Sequence, residues 1–271
     1  MKLDKKQPIG VFDSGIGGLT VAHAIQQLLP NERMIYFGDT AHLPYGEKSE
    51  AAIQAYSIKI ADVLVKKGCK VLVIACNSAS SAAYELLREY VRRDVHIINV
   101  IDPMVALVTS RFPGMEVGLI GTKRTVQSGV YVRKIEETGK NNVVQSLATP
   151  LLVPMIEEGF FQNRISHEII AQYLSDPLFT NIRALILACT HYPLIRREIG
   201  EFFKGQMAIL DSSDIVASAL KTYLEERDLL NDTPGPVAHQ FLVSDYTESF
   251  EASARLFFHA TVHLEKHNLW E

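Results

Sequence analysis

The sequence has few cysteines and no long apolar run, and each shortage excludes a class of protein. Three cysteines among 271 residues are too few for a disulfide framework, and their spacing matches neither a redox Cys-x-x-Cys pair nor a zinc site. No stretch approaches the roughly 18 consecutive apolar residues of a membrane-spanning helix, and the segment MKLDKKQPIGVF lacks the apolar core of a signal peptide. We therefore expect a cytoplasmic protein with reduced thiols, no bound metal and no membrane contact.

A strong charge of either sign is also missing. The formal net charge is -4 and no dense basic stripe is present, so composition gives no support for nucleic-acid binding. With 47% hydrophobic and 21% charged residues, the chain is typical of a globular protein of one large or two smaller domains.

Apolar runs recur along the chain with amphipathic segments between them. Because the runs are continuous rather than alternating, they predict strands buried on both faces and joined by crossover helices. The runs are PIGVFD, RMIYFGD, KVLVIAC, VHIINVID, EVGLIGT, NVVQSLA, RALILAC and QMAILDS. The pattern predicts an α/β fold with mostly parallel sheets.

Two of the runs, VLVIAC and ALILAC, are nearly alike and both end in Ala-Cys. Two halves of related design would each place one strand-end cysteine at a shared cleft, so we expect two similar domains with the active site between them. We place the first domain at residues 1–98 plus 212–271, with HQFLVSDYTESFEASARLFF as its C-terminal return, and the second at residues 99–211.

Polar residues follow the apolar runs, which places them at the carboxyl ends of the predicted strands. In open parallel sheets this edge is where ligands bind. The residues are Asp13, Asp39, Cys76, Asp102, Thr122, Cys189 and Asp211.

The first of these strand ends carries the segment FDSGIGGLTV. Its glycines, Gly15, Gly17 and Gly18, let the backbone approach a ligand, and the following helix start offers N–H groups to an anion. The segment is not a dinucleotide fingerprint and has no phosphate-loop lysine, so a small carboxylate or phosphate is the candidate ligand. An ordinary turn capped by Asp13 or Ser14 is the alternative.

The segment GDTAHLPYGEKS follows the second predicted strand and contains Tyr45 and Gly46. A loop with a tyrosine and a flexible glycine is able to close over a ligand, although the same residues also build ordinary turns.

The two strand-end cysteines lie in ACNSAS and ACTHYP. A thiol at a helix start lies where N–H groups and the helix dipole stabilise the thiolate. The alternative interpretation is structural, because most free cysteines are small buried apolar residues. Cys69 has no polar motif around it, and we interpret it as structural. Asn77 and Ser78 either cap the helix or bind the carboxylate of a ligand.

A histidine and a glutamate are candidate helpers of the second thiol. His191, two positions after Cys189, has the chemistry to lower the pKa of that thiol or to carry its proton. Glu157 in LLVPMIEEGFF is a candidate second proton carrier, and a helix-surface glutamate is its alternative interpretation.

The presence of two thiols discriminates between chemistries. Nucleophilic hydrolysis needs one cysteine with a base and an oxyanion hole, so it leaves the second thiol unexplained. Redox exchange needs the thiols within bonding distance, which cysteines on facing strand ends would not be. Proton transfer at a stereocentre uses both, because one thiolate removes a proton from one face of a carbon and the other thiol protonates the opposite face.

The segments FDSGIGGLTV, GDTAHLPYG, ACNSAS, VPMIEEG and ACTHYP, in this order, resemble those of the bacterial glutamate racemases, of the aspartate/glutamate racemase superfamily. The resemblance extends along nearly the whole chain. Ser78 stands where the family usually has Thr, and Ala188 where Gly is usual. Both changes keep the chemistry, because Ser78 retains the hydroxyl and Ala188 remains small.

The resemblance implies a cofactor-independent enzyme, commonly a homodimer, that interconverts L- and D-glutamate and supplies D-glutamate for peptidoglycan. It implies that Cys76 takes the Cα proton of D-glutamate with help from Asp13. It implies that Cys189 takes that of L-glutamate with help from His191 and Glu157. The substrate contacts that it implies are Asp13, Ser14, Tyr45, Gly46, Asn77, Ser78, Thr122, Thr190 and His191.

Two alternatives share the expected cleft. One is an aspartate-type racemase of the same superfamily. The other is a non-catalytic protein that binds a small amino acid, which would need the ligand-binding groups but not the thiols.

Overall fold

The computed structural model describes residues 3–91 and 95–270. Residues 1–2, 92–94 and 271, all of the expected first domain, lie outside the described residues. Every strand pairing within the described ranges is parallel, and the strands form two sheets. The predicted α/β class with parallel sheets is confirmed.

All eight apolar runs form strands, and the C-terminal stretch adds a strand and a helix as predicted. The last strand, of only three residues, was not predicted. The strands of the described ranges are β1 (Ile9–Asp13), β2 (Met34–Gly38), β3 (Val71–Ile74), β4 (His96–Asn99), β5 (Glu116–Gly121), β6 (Val143–Ala148), β7 (Ala184–Ala188), β8 (Ala208–Asp211), β9 (Gln240–Val243) and β10 (Leu264–Lys266).

Helices connect the strands. In the described ranges they are α1 (Leu19–Leu28), α2 (Glu50–Lys66), α3 (Asn77–Tyr90), α4 (Ile101–Arg111), α5 (Lys123–Gln127), α6 (Val130–Glu137), α7 (Leu152–Glu157), α8 (Arg164–Leu174), α9 (Arg196–Phe202), α10 (Ser212–Glu226) and α11 (Glu248–Phe258). Short 3-10 turns lie at Thr40–His42, Tyr45–Glu47, Pro177–Phe179 and Tyr192–Ile195. None of the helices in the described ranges has the length and apolar character needed to cross a bilayer.

Local sequence signals explain where the longest helix, α2, begins and ends. The Ser49 hydroxyl accepts the N–H of Ala52 at 3.3 Å and caps the first turn. Beyond the last turn, Gly68 adopts a left-handed backbone with φ of +79°, which a residue with a side chain adopts at a cost. The helix therefore ends there, and the chain turns back into β3.

The two sheets share a strand order. The larger sheet has the order β10-β9-β2-β1-β3-β4 and the smaller has β6-β5-β7-β8. The smaller sheet thus repeats the order of the first four strands of the larger one, β2-β1-β3-β4. In both sheets the second strand in the chain (β2 or β6) pairs with one side of the first (β1 or β5), and the next strand (β3 or β7) pairs with the other side. This reversal leaves a crevice at the carboxyl ends of β1 and β3, and of β5 and β7.

The core is shared between the sheets. Helices α2 and α3 cover one face of the larger sheet, where Phe12 and Phe37 are fully buried. From the opposite face, one continuous apolar cluster passes through α1, α4 and α10 into the smaller sheet. The edge strand β6 differs from the prediction of strands buried on both faces, because its residues are partly or fully exposed.

Candidate active site

A narrow cavity lies where the crevices of the two sheets face each other. The volume in it that a water-sized molecule can occupy is about 30 Å³. Ser14 and Cys76, which follow β1 and β3, enter it from the larger sheet. Thr122 and Cys189, which follow β5 and β7, enter it from the smaller sheet. The lining residues are Ser14, Gly15, Leu43, Pro44, Tyr45, Gly46, Cys76, Asn77, Ser78, Thr122, Val153, Glu157, Ala188, Cys189, Thr190 and His191. Of the catalytic and substrate-contact residues that the resemblance implies, every one except Asp13 is among them.

Cys76 is buried at the start of α3. Its sulfur accepts the N–H of Ala79 at 3.4 Å and lies 3.6 Å from the hydroxyl of Ser14. Burial raises the pKa of the Cys76 thiol to about 12, and the charge of the Asp13 carboxylate adds to the rise. Cys76 therefore carries its proton at neutral pH.

Cys189 has a different surrounding, built by a histidine and a glutamate. Its sulfur lies 3.7 Å from Nδ1 of His191, and Nε2 of the same ring lies 2.9 Å from the Glu157 carboxylate. Burial alone would lower the pKa of His191, but hydrogen bonds to Cys189 and Glu157 outweigh it and raise the pKa to about 10. The ring is therefore an imidazolium at neutral pH, held between two acceptors.

Asp13 lies behind the cavity wall and is fully buried. Its carboxylate accepts the N–H of Gly15 at 3.0 Å and the hydroxyl of Thr190 at 3.4 Å. Burial raises the pKa of Asp13, while the charge of His191 and backbone N–H groups oppose the rise. Asp13 thus contacts the second cysteine segment by a hydrogen bond and influences Cys76 through its charge.

Neutral hydrogen-bond donors cluster opposite the charged residues. The Asn77 amide oxygen accepts the hydroxyl of Tyr131 at 2.8 Å, while its Nδ2 is buried without a partner among the described residues. The Ser78 hydroxyl lies 2.9 Å from that of Thr122 and 3.3 Å from that of Thr125. The cap of α3 is the Cys76 sulfur, so neither Asn77 nor Ser78 is used as the cap. These donors suit a carboxylate in a cavity whose described wall contains no lysine or arginine.

Two glycines allow close approaches around the cavity. A Cβ at Gly46 would lie 2.8 Å from the Cβ of Thr122, so only glycine brings this loop against the smaller sheet. A Cβ at Gly17 would lie 2.5 Å from two ring atoms of His191. The glycine-rich segment was expected to let backbone approach a ligand, and at Gly17 it lets backbone approach a side chain.

Besides Asp13, three of the strand-end acids do not reach the cavity. Asp102 lies in α4 and pairs with Lys134 at 2.8 Å. Asp211 caps α10 and pairs with Arg196 at 2.7 Å. The third, Asp39, lies behind the Tyr45 loop.

The third cysteine, Cys69, is buried before β3, where its sulfur would lie 3.1 Å from a Cβ at Gly10. Burial raises the pKa of the Cys69 thiol to about 12. No group of three or more histidine, cysteine or carboxylate side chains arranged to hold a metal ion occurs within residues 3–91 and 95–270.

Sequence reasoning missed several neighbours of the site. Leu43 and Val153 contribute apolar wall, and Tyr131 orients Asn77 from α6. Leu43 lies in a segment already noted for Tyr45, so that signal was present. Nothing near Tyr131 in the sequence pointed to it, because its contact depends on how α6 packs.

A family model described as Asp/Glu/Hydantoin racemase matches residues 9–220. The chain belongs to the Asp/Glu/Hydantoin racemase family. It is similar to the glutamate racemase of Chlorobaculum parvum, at 39% identity over 94% of each chain. It is also similar to that of Thermus thermophilus, at 40% identity over 93% of this chain and 97% of the relative.

Solved structures of the Asp/Glu/Hydantoin racemase family agree with the fold. The glutamate racemase of Francisella tularensis subsp. tularensis SCHU S4, solved in complex with D-glutamate, superimposes with a TM-score of 0.92 at 38% identity. The match covers 98% of this chain and 99% of that chain. The described architecture of two parallel sheets therefore matches the fold of that glutamate racemase.

Proposed function

We propose that this protein interconverts L- and D-glutamate by a mechanism in which Cys76 and Cys189 exchange the Cα proton. The observation that supports this most is the placement of one strand-end thiol from each sheet at a single narrow cavity. Relatives of 37–40% identity over most of the chain that carry the name glutamate racemase support the choice of substrate.

In the L-to-D direction, the Cys189 thiolate takes the Cα proton of L-glutamate and becomes a thiol. The electron pair of the broken C–H bond stays on the substrate and is delocalised into its carboxylate. The Cys76 thiol then gives its proton to the opposite face of Cα, which completes D-glutamate and leaves a thiolate on Cys76. That final state is the one that the reverse direction needs, so each thiol is base in one direction and acid in the other.

The protonation states around the two thiols support these starting roles. An imidazolium beside a cysteine stabilises the thiolate, and His191 lies 3.7 Å from the Cys189 sulfur. Burial, which raises the pKa of Cys76 to about 12, keeps the other thiol protonated. Cys76 therefore suits the role of acid in the L-to-D direction, and we assign the role of base to Cys189, which lies beside the imidazolium.

Substrate recognition follows from the wall of the cavity. The start of α3 offers N–H groups that have no partner within the helix, and Asn77, Ser78 and Thr122 add neutral donors beside it. We assign further contacts to Ser14, Thr190 and the Tyr45–Gly46 turn, and Asp13 supports the site from behind. Neutral donors aimed at the carboxylate stabilise the negative charge that spreads into it from Cα in the transition state.

Both protons move on thiols, so the proposed reaction requires no cofactor. We further propose that the D-glutamate serves peptidoglycan synthesis in the cytoplasm, that the protein is a homodimer, and that residues 1–98 plus 212–271 form one domain and residues 99–211 the other. A dimer is tested by light scattering of the purified protein.

The test of function is circular dichroism of L-glutamate incubated with the purified, chelator-treated protein. We expect the signal to decay to zero, to decay equally from D-glutamate, and to persist with L-aspartate. A protein carrying both Cys76→Ala and Cys189→Ala is the background control. An unchanged L-glutamate signal would favour a binding protein, and faster loss with L-aspartate would favour an aspartate-type racemase.

A further inference from the structure

Hydrogen bonds connect Trp270, on the surface, to Tyr45 in the cavity wall. The indole N–H of Trp270 donates to Nε2 of His42 over 3.4 Å. Nδ1 of His42 lies 2.7 Å from Oδ1 of Asp39, and the Tyr45 hydroxyl donates to Oδ2 of the same carboxylate over 2.6 Å. Trp270 is 51% exposed and Tyr45 only 1% exposed, so the series leads from solvent to the cavity.

The chemistry of the indole determines the tautomer of His42. An indole N–H only donates, so the ring nitrogen that it contacts must be the unprotonated one. In a neutral imidazole the proton is then on Nδ1, from which it donates to Asp39. Trp270 thus favours the one neutral tautomer that leaves Asp39 with a donor.

Asp39 depends on that donor because it is fully buried. Its carboxylate receives hydrogen bonds from Tyr45 and, at 2.6 Å, from the Ser244 hydroxyl, besides the contact to His42. In the other neutral tautomer of His42, an unprotonated Nδ1 would face a carboxylate oxygen at 2.7 Å, and two acceptors at that distance repel. The carboxylate would turn, and the Tyr45 hydroxyl bonded to it would move.

Ring packing holds the same residues independently of the indole N–H. The His42 ring stacks on Tyr56 with centroids 4.2 Å apart, and the Trp270 ring meets each of these two rings edge-on at 6.1 Å. The Lys59 ammonium lies 5.3 Å from the centroid of the Trp270 ring. A phenylalanine at this position therefore keeps an aromatic ring beside His42 and Tyr56 and removes the donor.

We propose that Trp270 is a positioning residue of the active site, which fixes the tautomer of His42 and, through Asp39, the placement of Tyr45. Its effect on glutamate rests on the proposed function, whereas its effects on His42 and Tyr45 do not. The surface segment after β10 thereby contributes to the shape of the cavity.

The first experiment reads the tautomer directly by ¹⁵N NMR of histidine-labelled protein, with the His42 signals assigned through their loss in His42→Asn. In the wild type we expect a protonated Nδ1 and an unprotonated Nε2. In Trp270→Phe we expect the two signals to move towards the average of both tautomers, and the ¹³C signals of the Tyr45 ring to shift with them. Unchanged His42 signals in Trp270→Phe would overturn the proposal.

The second experiment measures KM and kcat for glutamate. Loss of a hydrogen bond that only positions a binding residue should raise KM about two- to tenfold with little change in kcat. Tyr90→Phe is the matched control, because it removes one donor from another exposed aromatic residue, which bonds Asp62 on the same helix as Tyr56. A tautomer change in Trp270→Phe with unchanged KM would overturn the positioning role, whereas a wild type without racemase activity would overturn the proposed function alone.

Discussion

Cys76 and Cys189 occupy matching positions in the two sheets. Cys76 follows β3, which lies next to β1, and Cys189 follows β7, which lies next to β5 at the same place in the strand order. Their partners are nevertheless different. Cys76 has a hydroxyl and a backbone N–H within hydrogen-bonding distance, whereas Cys189 has a histidine that is itself bonded to Glu157. The repeated fold therefore supplies two equivalent positions for a thiol, and the loops beyond the strands make the thiols chemically unequal.

The largest effect is expected from removing either thiol. Cys76→Ala and Cys189→Ala should each lower racemisation by about 10⁴-fold or more, because each removes an obligatory acid and base. The fold should persist, since alanine fits both positions. Measurement is by decay of optical rotation from each enantiomer, with thermal unfolding as the check of folding. Near-normal turnover in either variant would contradict the two-thiol mechanism.

The inequality of the two sides is tested by removing one helper at a time. His191→Asn should slow the steps at Cys189 by about 10²- to 10³-fold, and Asp13→Asn those at Cys76, as expected for positioned proton carriers. The readout is the isotope effect with Cα-deuterated substrate. In His191→Asn, the isotope effect should increase when the reaction starts from L-glutamate and decrease when it starts from D-glutamate. In Asp13→Asn, we expect the opposite changes.

Asp13 makes this test informative, because its hydrogen bonds lead to Gly15 and Thr190 rather than to Cys76. Isotope effects that change alike from both enantiomers in Asp13→Asn would show that this carboxylate serves both thiols. In that case the assignment of Asp13 to Cys76 alone would be wrong, and the thiol pair would remain.

A smaller effect is expected from Glu157→Gln, and it should appear in the pH profile. The pKa of His191 in the folded protein is raised from the ordinary value of 6.5 to about 10. Protonation of His191 therefore stabilises the folded state. This stabilisation is fully present below pH 6.5 and is lost as the pH rises through 10. The variant replaces the carboxylate with a neutral amide, which removes the negative charge that Glu157 places beside the ring and so weakens its effect on this pKa. The alkaline fall in kcat should therefore move down by roughly one pH unit, with about tenfold or less loss at neutral pH. An unmoved alkaline limb would remove Glu157 from the proton pathway.

The smallest effect on activity is expected from Cys69→Ala, which serves as a control for the other two thiols. Cys69 is buried away from the cavity and does not contact the reacting atoms. Turnover should therefore stay within about twofold of the wild type. The lost packing should lower the free energy of unfolding by about 1 kcal/mol. Both values come from parallel assays of activity and urea unfolding.

The strands and the cavity residues were predictable because the signals are local. A continuous apolar run followed by a polar residue marks a buried parallel strand and its carboxyl end, and this rule located Cys76, Thr122 and Cys189. The same rule also selected Asp102 and Asp211, which lie at other strand or helix ends. Distance from the crevice, which depends on strand order, separates the two groups.

Contacts between distant parts of the chain were not predictable. The strand β10 has three residues and no periodic signal, and it exists because β9 offers it an edge. Trp270 and His42 meet only after that strand has been added. The hydrogen bond from Thr190 to Asp13 likewise depends on how the two sheets approach each other.

The contact between Gly17 and His191 has a mechanical consequence. Backbone from the larger sheet rests directly on a side chain from the smaller one, and any side chain at Gly17 would overlap the ring. The absence of a side chain at Gly17 therefore determines how closely this backbone approaches His191, and with it the ring beside the Cys189 sulfur.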